Sequence, residues 1–161
     1  MKKQTAMLVL SCILVCLVVC FIFSNPLLDG EDSNRQSGLV MQLLRGILDP
    51  NHTIDDETFH FFVQKGAHFS EFALLGLSLW LLLLSIRGKF GIFCPSVMLF
   101  SALATAVTDE FIQSFTGRTS SVSDVLIDFG GAVLSMAFLW IFHALKYKKE
   151  RQHAAKECET E

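Results

Sequence analysis

Residues Thr108–Gly131 read TDEFIQSFTGRTSSVSDVLIDFGG: four carboxylates, a glutamine, an arginine and a run of small hydroxyl side chains. Two of the most apolar segments of the chain flank and overlap it, IFCPSVMLFSALATAV (Ile92–Val107) and VLIDFGGAVLSMAFLWIFHAL (Val125–Leu145). A helix needs roughly 20 mainly apolar residues to cross the hydrocarbon core of a bilayer. The quoted stretch therefore reads as the polar end of two membrane helices and the loop that joins them.

The rest of the chain agrees. Of its 161 residues, 52% are hydrophobic and only 18% charged, too apolar for an ordinary soluble domain. Two more apolar blocks occur: TAMLVLSCILVCLVVCFIF (Thr5–Phe23) without a charge, and FALLGLSLWLLLLSI (Phe72–Ile86), which reaches span length with the more polar turn before it. The sequence thus predicts an all-α polytopic membrane protein of one domain, residues 5–145, with four transmembrane helices over about 5–23, 67–86, 91–114 and 124–145. The first block has an MKK start, but no small-x-small cleavage site follows it, so it reads as an uncleaved span. Residues 24–66 form a long segment between the first two spans. Within it, Leu39, Leu43 and Ile47, with Met41, Leu44 and Leu48, mark a short amphipathic helix, and Thr53 or Asp55 offers an N-cap to a helix carrying Phe59, Phe61 and Phe62.

Sidedness follows from Lys and Arg. Lys2, Lys3, Arg87, Lys89, Lys146, Lys148, Lys149 and Arg151 fall on one side; Arg35, Arg45, Lys65 and Arg118 fall on the other, with twelve of the sixteen acids. The positive-inside rule places residues 1–4 and the tail 146–161 in the cytoplasm and the 24–66 segment outside. No concentrated basic surface points to nucleic acid. Cys12, Cys16 and Cys20 repeat along one face of the first span and read as small apolar packing residues; no disulfide framework is expected.

With that topology, three pieces of sequence deliver Lys65, His68, Glu71, Asp109, Glu110, Gln113, Arg118, Asp124 and Asp128 to one membrane face. Lys65, His68 and Glu71 step by three along one helical face, Asp109 and Gln113 are four apart, and Asp124, Asp128, Gly131 and Ser135 make one stripe. Asp128 lies about one turn inside the apolar run, where an ionised carboxylate costs up to roughly 2.5–3.5 kcal/mol. It should point into the bundle toward a cation, for which Arg118, Lys65 and His68 are available. Asp124 also suits the N-cap of the fourth span. His68, Glu71, Asp109 and Asp124 have ligand chemistry, but without H-E-x-x-H, paired histidines or an outer cysteine the sequence predicts neither a metal nor another cofactor. Ser101, Thr105, Gly130, Gly131 and Ser135 are the small residues expected at helix contacts, and spans two, three and four are expected to pack as antiparallel neighbours.

Two stretches resemble the VanZ-like family of bacterial membrane proteins. In KGAHFSEFALLGLSLWLL, Lys65, His68, Glu71, Leu75 and Gly76 match, with Phe72 where tyrosine is usual. In DEFIQSFTGRTSSVSDVLIDFGGAVLS, Asp109, Glu110, Gln113, Phe115, Gly117, Arg118, Asp124, Val125, Asp128 and Gly131 match, with Thr116 where proline is usual. The resemblance covers about half the chain. It implies a multi-pass protein of the bacterial cytoplasmic membrane concerned with the cell envelope, in a family named after an accessory protein of glycopeptide-resistance clusters and associated with teicoplanin resistance. The expected function is binding of membrane lipid, or of an anionic or lipid-linked cell-wall precursor, by an outer polar pocket. Arg118 takes phosphate there and Lys65 adds a point charge. Two other readings use the same residues. One is a membrane-embedded hydrolase or transferase with His68, Glu110 or Asp128 as acid–base candidates, and the other is a structural or scaffolding protein held by an ion network.

Overall fold

The structure, a computed structural model, describes residues 2–25, 41–51, 53–115 and 121–159. Five helices occupy the described residues: α1 (Lys2–Ser24), α2 (41–48), α3 (Asp56–Phe90), α4 (Pro95–Phe115) and α5 (Val122–Glu159). Helices α1, α3, α4 and most of α5 (Val122–Gln152) are long and apolar enough to cross a membrane, as the four apolar blocks predict.

Helix α3 shows how local sequence sets these bounds. Asp55 caps it: its extended backbone (φ −62°, ψ 153°) turns the carboxylate to accept the Thr58 N–H at 2.8 Å, and Asp56 and Glu57 in the first turn complement the helix dipole. At the other end Gly91 adopts the left-handed conformation (φ 72°) and its N–H closes on the Arg87 carbonyl at 2.9 Å, with Arg87 and Lys89 in the last turn. The sequence expectation of a separate helix before the second span is replaced by one unbroken rod of 35 residues, about 52 Å long. It overhangs an ordinary hydrocarbon core by several turns. Pro95, which cannot continue a preceding helix, opens α4 instead.

Helix α3 is the hub. It runs antiparallel to α1, tied by Gln4 Nε2 to the Gly88 carbonyl at 2.9 Å, by the Ser11–Ser85 hydroxyl pair at 2.9 Å, and by Asn25 Nδ2 to Glu71 Oε1 at 2.7 Å. Its broadest contact is with α5, two spans away in sequence, and here the helices run parallel. Lys65 meets Asp124, Phe69 and Ala73 meet Gly131, and Gly76 meets Ala132 and Ser135. The sequence expectation of antiparallel neighbours among spans two, three and four does not contain this parallel pairing of the second with the fourth. Small residues create it: a Cβ on Gly76 would lie 2.1 Å from Ser135 Oγ and 2.5 Å from the Ala132 carbonyl, and one on Gly131 would lie 2.4 Å from the Phe69 carbonyl. Gly130, expected at the same contact, faces open space.

The core collects Val18 and Ile22 of α1, Phe72, Leu75, Leu79, Trp80 and Leu83 of α3, Met98, Ala102 and Ala106 of α4, and Ala132 and Met136 of α5. Outside it the bundle is apolar too: Leu10 and Leu17, Phe100 and Phe111, Leu134 and Phe138 are more than half exposed. That surface suits lipid and is wrong for water. Cys12, Cys16 and Cys20 lie on this outward face of α1, so they do not pack within the chain as expected.

The short helix α2 is pinned to the start of α3. Arg45 pairs with Asp56, donates to the Ile54 carbonyl at 2.5 Å, and lies over the Phe59 ring at 5.0 Å. Leu43, Ile47 and Leu48 of α2 remain exposed, an apolar face available to the membrane. In the link, Asp49 accepts the Thr53 hydroxyl at 2.6 Å and the N–H groups of Thr53 and Ile54 at 2.8 and 3.0 Å. These bonds, led by the Thr53 hydroxyl and the Ile54 amide and aided by Arg45, hold its pKa at about 2 rather than 3.8. A depressed carboxylate pKa stabilises the fold fully above the unfolded value and loses that effect as pH falls through the folded one. The link is therefore expected to hold down to about pH 4 and loosen toward pH 2. A carbon-13 NMR titration should place the Asp49 midpoint near 2, and Thr53→Ala should move it up toward 3.8.

Candidate functional site

At the end of the bundle where α3 and α5 begin and α4 finishes lies a cavity of about 170 Å³. Phe61, Gln64, Lys65 and His68 of α3, Glu110 and Gln113 of α4, and Asp124, Ile127 and Asp128 of α5 line it. Three non-contiguous stretches thus converge, as the topology predicts.

Helix α4 supplies its wall through one stripe. Met98, Ala102, Ala106, Asp109, Glu110 and Gln113 are the buried residues of this helix, three to four apart except at the adjacent carboxylates. The stripe is apolar toward the middle of the bundle and ionisable at its end, while Phe100, Val107, Phe111 and Phe115 face out. Asp109 is 1% exposed, and its Oδ2 accepts Gln113 Nε2 at 2.7 Å, the i,i+4 pair read from sequence. Glu110 reaches across to α5, where its Oε1 accepts the Ser121 N–H at 2.5 Å. Its Oε2 is buried and accepts no hydrogen bond among the described residues.

Lys65 points into the cavity and pairs with Asp124 Oδ1 at 2.5 Å, with its ammonium 5.4 Å from the Phe61 ring. Asp124 is available because it is not the cap of α5. Ser121 takes that role: its hydroxyl accepts the Ser123 N–H at 3.2 Å, and its carbonyl accepts the first helical amides, those of Asp124 and Val125. Ser121→Ala is expected to cost about 1 kcal/mol and to fray the first turn of α5. Faster amide exchange at Ser123 and Asp124, with the core unchanged, would register it.

Other sequence candidates divide. His68 lines the cavity, and one ligand atom each of His68, Asp109 and Asp128 lies within 4.8 Å of the others. Asp128 is 2% exposed and faces the cavity. It lies next to His68, whereas Lys65, the other cation expected for it among the described residues, goes to Asp124. Glu71 does not line the cavity; it receives Asn25 from the end of α1. Arg118 and Gly117 lie outside the described residues. Sequence reading missed Phe61 and Gln64, although each stands four residues before a predicted site residue on the same helix, which is the spacing that signals a shared face. It also missed Asn25, whose signal was only its place at the end of the first span.

Chemically, the cavity offers one ammonium already engaged, one imidazole, two amides and three lining carboxylates, with a fourth behind them. It can hold cations or amines, orient a phosphate against Lys65, or exchange protons. No curated protein and no solved structure matches the chain. The sequence profile of the VanZ/LLP1 family matches residues 10–143, which takes in all of α3 and α4 and most of α1 and α5. With spans and polar stripes arranged as described, the chain belongs to the VanZ/LLP1 family and is a multi-pass membrane protein.

Proposed function

We propose that the cavity receives the polar headgroup of a lipid-linked cell-envelope compound at the outer face of the bacterial cytoplasmic membrane. The observation that carries this reading is a cavity walled by ionisable side chains inside a bundle whose outer surface is apolar. Phe61 lines the cavity and is also 53% exposed, so the polar interior borders a surface fit for an acyl or prenyl chain. In this reading Lys65, with Arg118 of the sequence between α4 and α5, takes the anionic group. Gln113, Glu110 and Asp128 take hydroxyl or amine groups of the same headgroup. The outer location rests on the Lys and Arg bias toward the opposite end. A protein that occupies such a headgroup shields it from antibiotics that seek it, the link to teicoplanin-type resistance.

Native mass spectrometry of the detergent-purified chain tests this. A co-purifying phospholipid or polyprenyl-phosphate species is expected, with occupancy lowered at least tenfold in Lys65→Met. Identical lipid adducts in both proteins would sink the reading and leave the polar cluster as a structural ion network.

One observation favours a second reading, a membrane hydrolase or transferase: His68 and Asp128 bring an imidazole and a buried carboxylate within 4.8 Å in the same cavity. His68→Gln separates the two. An enzyme loses turnover of a lipid-linked substrate while a binder keeps its lipid.

A further inference from the structure

We infer that His68, Asp109 and Asp128 form a binding site for one divalent transition-metal cation beside the cavity. Sequence spacing offered a different set, and the fold breaks it up: Asp124 is taken by Lys65 and Glu71 by Asn25. What it assembles is one imidazole and two carboxylates, each from a different helix, with donor atoms within 4.8 Å of one another. Donors at 2.0–2.2 Å from a zinc ion stand at most about 4.4 Å apart, so small side-chain rotations close the site. One nitrogen and two oxygens suit Zn²⁺ or Mn²⁺ better than Ca²⁺ or Mg²⁺, which prefer oxygen alone.

Three further observations point to a ligand. Asp128 is 2% exposed and faces the cavity, and no hydrogen bond or ion pair to its carboxylate is made among the described residues. Glu110, 6% exposed and lining the same cavity, keeps a buried Oε2 that accepts no hydrogen bond there. Buried anionic oxygens of this kind are stable only when paired, protonated or bound to metal. Gln113 meanwhile fixes the Asp109 carboxylate by donating to Oδ2, the orienting role that outer partners of metal ligands commonly play. The ligands lie on three helices, so an ion would cross-link α3, α4 and α5 at one end and leave at least one coordination position for water or a ligand's oxygen. The inference does not depend on the headgroup reading, since metal binding is measured without lipid.

The test uses the full chain in detergent, stripped with EDTA, titrated with ZnCl₂, desalted and counted by inductively coupled plasma mass spectrometry. One zinc per chain is expected. Affinity should fall at least tenfold in His68→Gln and in Asp128→Asn, and stay unchanged in His60→Gln, a surface histidine elsewhere on α3. Circular dichroism confirms that each variant is folded. A second measurement needs no variant: Co²⁺ added to the wild-type chain should give the intense visible bands of a low-coordinate site with an imidazole ligand. Zinc at background level in the wild type, equal retention in both site variants, or a Co²⁺ spectrum of the hydrated ion overturns the inference.

Discussion

Gly76→Val is expected to destabilise the bundle by about 3 kcal/mol or more, the upper range for overpacking a close contact. The Cβ alone would lie 2.1 Å from Ser135 Oγ, 2.5 Å from the Ala132 carbonyl and 2.8 Å from the Ala132 Cα. Ser135 could rotate, but two of the three clashing atoms belong to the α5 backbone and can be relieved only by moving the helix. That movement would pull Gly131 from the Phe69 carbonyl and open the α3–α5 crossing, which is also the seam beneath the cavity. Without a hydrophobic force between helices in lipid, close van der Waals packing is much of what holds such a seam. Thermal unfolding in detergent, followed by tryptophan fluorescence, should show a large fall in Tm. Gly130→Ala is the control: a Cβ there meets nothing within 4 Å, and the change should leave Tm level or slightly raised. Equal effects at the two positions would contradict the crossing.

Phe72→Ala is expected to cost about 3–5 kcal/mol, the range for emptying a fully buried aromatic site. Phe72 is the largest side chain in the core with no exposed surface. It stands four residues after His68, one turn further along the same helix, and belongs to the apolar core. The void left by alanine would border polar groups and be large enough to hydrate. The variant should therefore lose stability and gain water-accessible volume below the site. Lower Tm, together with faster amide exchange at Gly76 and Leu79, would record both.

Much of this architecture is readable in one sequence because lipid imposes simple demands. Apolar runs of span length and a cap at Thr53 or Asp55, of which the structure uses Asp55, leave little freedom in where helices lie. Convergence of the polar residues follows once the spans alternate. What sequence does not contain is rotation and non-adjacent pairing. Asp124 sits where a cap belongs, but Ser121 caps first, and the difference depends on a hydroxyl three residues upstream. Glu71 shares a face with His68 at the level of spacing, yet the slight drift of a helix turns it toward α1. The α3–α5 contact has no local signature, because Gly76 and Ala132 are far apart in the chain and only tertiary packing brings them together.

The inverted amphipathicity of α4 has a consequence for how the protein enters the bilayer. Its phenylalanines face outward while Asp109, Glu110 and Gln113 face the bundle. Alone in a translocon, that helix would present two acids to hydrocarbon, each costing up to about 3 kcal/mol depending on depth, against only a modest apolar stretch. Helices α3 and α5 remove the penalty by covering the acids. Residence of α4 in the membrane is thus a property of the assembled hairpin. A nascent chain ending at Phe115 should leave α4 partly uninserted until Val122 and the residues after it emerge.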